Sequence, residues 1–302
     1  MKKIVISIIV IVFIIFCFTA CTYEGIIFEE EYENAGLYLC GNQKYTDKIT
    51  NIDISWKNGL VKLIQSDDEI ITIEEENDLD DSKKVHTYVE NETLYIKYWQ
   101  SGKKDKVKAK DKHLTIKYPK CQNINIVGSS CIIAADDIDC ESLNVISTSG
   151  EIVVENINCN TLSLASTSSA ISIGNINATN VDLGTTSGKI SLGSVNVSSL
   201  IVGSTSGSFN CGSVNVNDLK FDTTSGSFNA KVTQANTIKI SSTSGSVDMS
   251  LGDLGASINY ETNSGSLSCE PKYSYINGEI VIGDGACDIN IKTTSGSIKI
   301  RG

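Results

Sequence analysis

The segment TTSGKISLGSVNVSSLIVGSTSG, residues 185–207, begins and ends on the same motif, a Thr-Ser pair followed by glycine. Its two glycines, Gly188 and Gly207, lie 19 residues apart. The motif recurs through the C-terminal half at intervals of 19, 19, 19, 19, 19 and 20 residues, with serine replacing glycine once. It ends in turn at Gly150, Ser169, Gly188, Gly207, Gly226, Gly245 and Gly265. A fixed period of this length predicts a solenoid, not a flexible linker or a phosphate-binding loop.

Apolar residues occupy the same offsets in every period. They come in pairs, two and four, seven and nine, and twelve and fourteen positions after the reference glycine. Alternation with a period of two is typical of strands with one buried face. After Gly188 the pairs are Ile190 and Leu192, Val195 and Val197, and Leu200 and Val202. The sequence therefore predicts an all-β fold, a parallel β-solenoid with about 19 residues and three short strands per coil.

The regular repeats are predicted over residues 121–265, and the N-terminal part departs from them. The segment NIDISWKNGLVKL, residues 51–63, carries the repeat offsets once. The strands that follow it are longer and charged, and the acidic run IEEENDLDD, residues 73–81, is interpreted as a solvated loop. We therefore predict an irregular, hairpin-rich N-terminal β cap over residues 45–120, because a bare solenoid edge would pair with other chains.

The C-terminal end is also expected to be irregular. Residues 266–302 are predicted to form a last coil and a cap after the regular repeats. Lys299 and Arg301 flank the final strand. Charged residues on an edge strand discourage pairing with another chain, so this strand is expected at the end of the rod.

The N-terminus resembles a bacterial lipoprotein signal. A basic start, MKK, is followed by a short apolar run and by FTAC, in which Ala20 precedes Cys21. The resemblance implies a signal peptide over residues 1–20, lipidation of Cys21 and a lipidated tether over residues 21–44. An uncleaved membrane anchor is the alternative. Either reading predicts an extracytoplasmic protein attached to the cell membrane.

The charge of the chain disfavours several classes of partner. The formal net charge is -11, and removal of Lys2 and Lys3 with the signal peptide makes it -13. Coulomb repulsion then opposes binding to nucleic acid or to an anionic lipid surface. We therefore predict no nucleic-acid partner, and we expect the lipid, not the charge, to hold the protein at the membrane.

The cysteines fit the repeat better than a disulfide framework. Cys140 and Cys159 share one inward column, and Cys211 lies in another, where cysteine acts as a small apolar residue. A disulfide between Cys140 and Cys159 stays open. The histidines, His86 and His113, have no cysteine or histidine nearby at metal-ligand spacing. No metal site and no cofactor are predicted.

Two outward columns are the candidate surfaces for binding. Stacked amide and hydroxyl side chains either satisfy one another's hydrogen bonds from coil to coil or face a glycan or protein partner. The amide column contains Asn158, Asn177, Asn196 and Asn215, and the hydroxyl column contains Thr148, Thr167, Thr186, Thr205, Thr224 and Thr243.

The order of these segments resembles a bacterial family of adhesin-like proteins of unknown function, DUF4097. The resemblance rests on NIDISWKNGLVKL, on HLTIKYP leading into the repeats, on the serial TSG coils and on VIGDGACDINIKTTSGSIKI near the end. It spans roughly residues 45–302. It implies a solenoid-like domain on the cell exterior, often lipid- or membrane-anchored, and it carries no catalytic or binding residues over to this chain.

Three functions remain open at this point. The first is a non-catalytic, surface-tethered adhesin or scaffold that binds cell wall, glycan or a membrane protein. The second is an accessory role in envelope-stress signalling, which no residue separates from the first. The third is a polysaccharide-degrading enzyme, which needs clustered carboxylates. Its only candidate cluster is Asp218, Lys220 and Asp222, which a solvated face explains better. No catalytic residue is predicted.

Overall fold

The computed structural model describes residues 31–104 and 106–302. The predicted signal peptide and Cys21 lie outside the described residues. Within them the strands join in one sheet that winds into a β-solenoid with parallel coils, which confirms the predicted fold class. No helix in this part is long and apolar enough to cross a membrane. The helical elements there are short 3-10 turns at Ala35–Leu37, Asp81–Lys83 and Ala109–Asp111.

The regular coils follow one another at a constant offset of 19 residues, so that Ile171 pairs with Ile190 and Leu183 with Val202. Each coil is one continuous strand with three paired stretches, whereas the sequence predicted three separate strands. The chain stays extended through its corners, where single residues such as Gly174 and Thr179 lack a register partner. The strands are β8 (Cys121–Ser147), β9 (Ile152–Ser166), β10 (Ile171–Thr185), β11 (Ile190–Ser204) and β12 (Phe209–Thr223).

The inward side chains form one core along the axis of the rod. Ile190 and Leu200 are almost completely buried, and each contacts its equivalents in the coils on either side. Phe209 stacks on Phe228 with ring centroids 5.3 Å apart, and Phe221 packs beside both rings. A buried side chain of this size contributes about 1.5–3 kcal/mol. Because most of that burial comes from contacts with neighbouring coils, the stability of each coil depends on the coils stacked against it.

The N-terminal end continues the solenoid for two layers and then closes it with antiparallel strands. The first long strand, β3, pairs in parallel with β8 on one side and with β6 and β7 on the other. Strands β4 and β5 add antiparallel partners, and the short β1 and β2 form the outer edge. The bounds are β1 (Leu39–Cys40), β2 (Gln43–Tyr45), β3 (Asn51–Gln65), β4 (Ile71–Glu75), β5 (His86–Glu90), β6 (Thr93–Lys97) and β7 (His113–Tyr118).

A buried ion pair lies inside this N-terminal end. Lys112 is fully buried and its ammonium contacts the carboxylate of Glu75. The ammonium also donates to the carbonyl oxygens of Lys83 (2.9 Å) and Tyr98 (2.7 Å) and lies 4.7 Å from the ring of Trp56. The interpretation of residues 73–81 as a solvated loop is therefore wrong at Glu75, which ends strand β4 and faces inward.

The C-terminal part is not stacked in chain order. Strand β20 pairs with β14 on one side and β16 on the other, and β21 lies between β15 and β17. The last two strands are therefore inserted between layers that precede them in the sequence. The bounds are β13 (Phe228–Gln234), β14 (Thr237–Ser242), β15 (Val247–Ser250), β16 (Ala256–Thr262), β17 (Leu267–Cys269), β18 (Tyr273–Ile276), β19 (Glu279–Ile282), β20 (Cys287–Thr293) and β21 (Ile298–Arg301).

The prediction that Lys299 and Arg301 flank an edge strand is wrong, because β21 is an interior strand. Arg301 donates from Nε to the Asp248 carboxylate of the adjacent layer at 2.7 Å, and Lys299 lies 3.0 Å from Glu270. These cations link neighbouring layers. Among the described strands, the free edges at this end belong to β17, which pairs only with β21, and to β18, which pairs only with β19.

Candidate binding surfaces of the solenoid

The recurring TSG motif builds a corner of the coil. The residue that precedes the Thr-Ser-Gly sequence, such as Thr185, is buried, and its hydroxyl accepts a hydrogen bond from the N–H of Gly188 at 2.7 Å. Thr223 and Gly226 repeat this contact at 2.8 Å. A β-carbon on Gly207 would stand 1.9 Å from the carbonyl oxygen of Gly188 in the preceding coil. The glycine is therefore required by the close approach of successive turns.

The predicted threonine column lies on the outside of these corners. Thr186, Thr205, Thr224 and Thr243 are exposed, while Thr148 and Thr167 are half-buried. Their backbone N–H groups donate to the preceding coil, as from Thr186 to the carbonyl of Ser166 at 3.1 Å. Within residues 31–104 and 106–302, none of these six hydroxyls has a hydrogen-bond partner. The exposed members retain their full capacity to bind a ligand.

The predicted asparagine column forms a hydrogen-bonded ladder. The amide Nδ2 of each residue donates to the Oδ1 of the residue one coil earlier, at 3.0 Å from Asn177 to Asn158 and at 3.1 Å from Asn196 to Asn177. Asn215 continues the ladder at 3.0 Å, and Asn158 ends it on the carboxylate of Asp139 at 3.3 Å. Each internal amide thus uses one N–H and one lone pair within the ladder, so the column is first of all a structural element.

A parallel ladder lies on the same outer side. Asn156 donates to Asp137 at 2.7 Å, Asn175 to Asn156 at 2.8 Å and Ser194 to Asn175 at 2.6 Å. Both ladders therefore end at their N-terminal side on an aspartate. A carboxylate accepts a stronger hydrogen bond from an amide than another amide oxygen does, because it carries a negative charge.

A shallow groove crosses four coils beside the TSG corners and has a volume of about 500 Å³. Its walls are mostly uncharged and polar. The groove lies where one outward column becomes small: the position after the reference residue is Glu151, Ala170 and Lys189 in the earlier coils and serine in the later ones. The side chains that line it include Ser206, Ser208, Asn210, Ser227, Asn229 and Ser246.

Charged residues mark the two ends of this groove. Lys189 lies in the first of the four coils, and Asp248, which accepts hydrogen bonds from Arg301, lies in the last. Between these ends the groove is lined by serine and asparagine side chains together with Gly207 and Phe228. Sequence reasoning missed this site, because it followed columns that keep one residue type, whereas the groove depends on a change of residue size within a column.

The carboxylates of the repeats do not gather into a catalytic cluster. Lys220 pairs with Asp222 at 2.9 Å on the outer face of one coil, and Asp218 is exposed on the same strand. Burial raises the pKa of the Asp182 carboxyl, which lies two coils earlier in the column of Lys220. Across the described residues, no group of three or more histidine, cysteine, aspartate or glutamate side chains could hold a metal ion.

The eight described cysteines are free thiols, and six are buried. Burial raises the pKa of Cys140 to about 12 and that of Cys159 to about 11. The neutral thiol is therefore the form at physiological pH, which disfavours nucleophilic chemistry. Both side chains are buried in the core, at equivalent positions of successive coils.

The coils, the corners and the grooved outer face define a β-solenoid protein with polar outer surfaces. The chain matches the family Toastrack DUF4097 over residues 49–301, and it belongs to this family. No curated protein matches the chain.

Two solved structures are similar to this chain. One is described as a "putative cell adhesion protein" from Clostridium sporogenes, with 11% identity, a TM-score of 0.27, and coverage of 87% of this chain and 99% of that one. The other is described as a "putative adhesin" from Bacteroides fragilis, with 15% identity, a TM-score of 0.40, and coverage of 86% and 95%.

Proposed function

We propose that this protein is a lipid-anchored, extracytoplasmic and non-catalytic binding protein, which uses its outer face as an adhesin or scaffold in the cell envelope. The N-terminal resemblance to a lipoprotein signal supports anchoring through Cys21. The partner is a glycan, the cell wall or a membrane protein. Nucleic acid is not proposed, because the net charge of -11 opposes it.

The groove between Lys189 and Asp248 is the observation that supports binding. Its serine and asparagine side chains repeat from coil to coil at about 4.8 Å, the spacing of neighbouring strands. Hydroxyl and amide groups both donate and accept hydrogen bonds, as the hydroxyl groups of sugars do. A neutral, repeating ligand that lies along the rod would meet equivalent groups in each coil.

Filling the groove should weaken binding. We expect Ser227→Tyr to weaken binding of the chain to its envelope ligand by about tenfold or more, because the ring would occupy the space of the ligand. Binding is measured against purified cell wall, glycan arrays and membrane-protein extracts. Ser198→Tyr, on an exposed position outside the groove, is the matched control and should bind like the wild type. Equal binding by both variants would place the ligand elsewhere.

Lipid attachment is tested separately. We expect the mature chain to begin at Cys21 with a covalently attached lipid, and Cys21→Ser to lose incorporation of labelled fatty acid. Intact mass and fatty-acid labelling are the measurements. Cys17→Ser alters a cysteine within the predicted signal peptide and should leave both unchanged. A wild-type chain that retains residues 1–20 would show an uncleaved anchor and contradict the proposal.

A further inference from the structure

The loop between β6 and β7 concentrates positive charge in an acidic protein. Residues 103–111 contain five lysines and two aspartates, a net charge of +3 in a chain whose net charge is -11. Four of these lysines, Lys104, Lys106, Lys108 and Lys110, are exposed. The loop is therefore a local exception to the charge of the whole chain.

Backbone contacts hold this loop against the first coil. Asn58 donates from Nδ2 to the carbonyl of Val107 at 3.2 Å, and Val107 packs against the core. The N–H of Asp111 donates to the carbonyl of Lys108 at 2.9 Å. At Gly59 the backbone has a φ of +94°, and a β-carbon there would collide with the carbonyl of Lys112. The part of the loop from Val107 to Asp111 is therefore held against the first coil.

None of the four exposed lysines forms an ion pair with any residue of 31–104 or 106–302. Lys83 and Lys84 nearby do pair, with Asp80 and Asp81. Charges more than about 8–10 Å away are largely screened at physiological salt, so a surface that meets the loop responds mainly to nearby charges, and within the loop lysines outnumber aspartates by five to two.

The chain enters the fold at the base of this loop. The N–H of Tyr32 donates to the hydroxyl of Ser101 at 3.0 Å, and its phenol donates to the carbonyl of Trp99 at 2.8 Å. Tyr32 lies eleven residue steps after Cys21, so the loop base lies within about 36–40 Å of the anchor at full extension. Leu37 and Leu39, which follow shortly after, are more than half exposed.

We propose that Lys104, Lys106, Lys108 and Lys110 bind the anionic phospholipid headgroups of the membrane that carries the chain, and so set the orientation of the rod. The inference rests on the proposed membrane attachment. A lysine near an anionic membrane strengthens binding by about fivefold. The exposed leucines suit the interface beside the headgroups. The groove then lies on coils farther along the rod, away from the membrane.

Energy transfer to the lipid surface tests this orientation. The full chain is reconstituted into vesicles of phosphatidylcholine, with or without phosphatidylglycerol, that carry a dansyl headgroup probe. Trp56 and Trp99, the only tryptophans, both lie in the N-terminal end and serve as donors. We expect transfer to rise about twofold with the anionic lipid and to fall back at high salt, when the Debye length shortens.

Two variants distinguish an effect of the loop lysines from an effect of the total positive charge of the protein. Replacing all four loop lysines by glutamine should remove the response to phosphatidylglycerol. Replacing four exposed lysines outside the loop by glutamine should preserve it; these are Lys62, Lys231, Lys239 and Lys272. Flotation of the vesicles reports attachment independently, so loss of the anchor is distinguished from failure of the loop.

Two outcomes would overturn the assignment. One is equal transfer in neutral and anionic vesicles. The other is protection of the loop lysines from an amine reagent by soluble polyglycerol phosphate but not by anionic vesicles, which would identify an anionic polymer as the partner.

Discussion

Replacing Gly207 by alanine is expected to lower the free energy of unfolding of the solenoid by about 2–4 kcal/mol. The new β-carbon would stand 1.9 Å from the carbonyl oxygen of Gly188 and 2.9 Å from a methyl carbon of Thr185. The obstructing atom is backbone, and the corner around it is held by the hydrogen bond from Ser206 N–H to the carbonyl of Thr186 at 2.8 Å. Relief therefore requires separating two coils.

The measurement is urea unfolding followed by circular dichroism and by tryptophan fluorescence. Circular dichroism reports the whole sheet, whereas fluorescence reports only the N-terminal end that contains both tryptophans. Gly207→Ala should shift the first signal more than the second, because stability in a stack of coils is partly local. Gly184→Ala is the control, since a β-carbon there meets no atom within 4 Å. Equal losses in the two variants would show that crowding is not the cause.

The period of the sequence predicted the coil because every coil repeats the same inward pattern. The period could not predict the order of the last layers, since each TSG segment fits the register of any other. In the structure β20 has the interior position, where Cys287, Ile289 and Ile291 are buried. Strand β16, whose Tyr260 is only half-buried, lies farther out.

The surfaces were predicted unevenly for a related reason. The asparagine ladder was visible because one residue type persists at one offset. The groove depends on side-chain volume, which a search for repeated residue types does not detect. The basic loop at residues 103–111 was missed because only the net charge of the whole chain was considered. Lys112 and Glu75 belong to runs of like charge that are typical of solvated segments, and only the fold brings the two runs together in the interior.

Replacing Lys112 by methionine is expected to destabilise the N-terminal end by about 3–5 kcal/mol, because it leaves the carboxylate of Glu75 buried without a counter-charge. The carbonyl oxygens of Lys83 and Tyr98 lose their donor as well. Tryptophan fluorescence during urea unfolding is the appropriate readout, since the ammonium lies 4.7 Å from the ring of Trp56. Lys110→Met, in the exposed part of the same loop, is the control and should change stability little.

The pH dependence of this variant has a definite sign. Burial already raises the pKa of Glu75, and Lys112 opposes that rise. Without the lysine the folded-state pKa rises further above the unfolded value. Such a group stabilises the fold below its unfolded pKa, and this stability is lost as the pH rises through the folded pKa. The deficit of Lys112→Met should therefore be smaller near pH 5 than near pH 8. A deficit independent of pH would contradict a buried carboxylate as its source.

A double-mutant cycle completes the argument. We expect Glu75→Leu with Lys112→Met to be less destabilised than the sum of the single variants, with a coupling of about 1–3 kcal/mol. Recovery should be incomplete, because the N–H of Val85 donates to Glu75 at 2.8 Å and would lose its acceptor. Additive losses would mean that the two side chains act independently. A coupling in this range would show that the pair joins strands β4 and β7 to the loop from which the exposed lysines project.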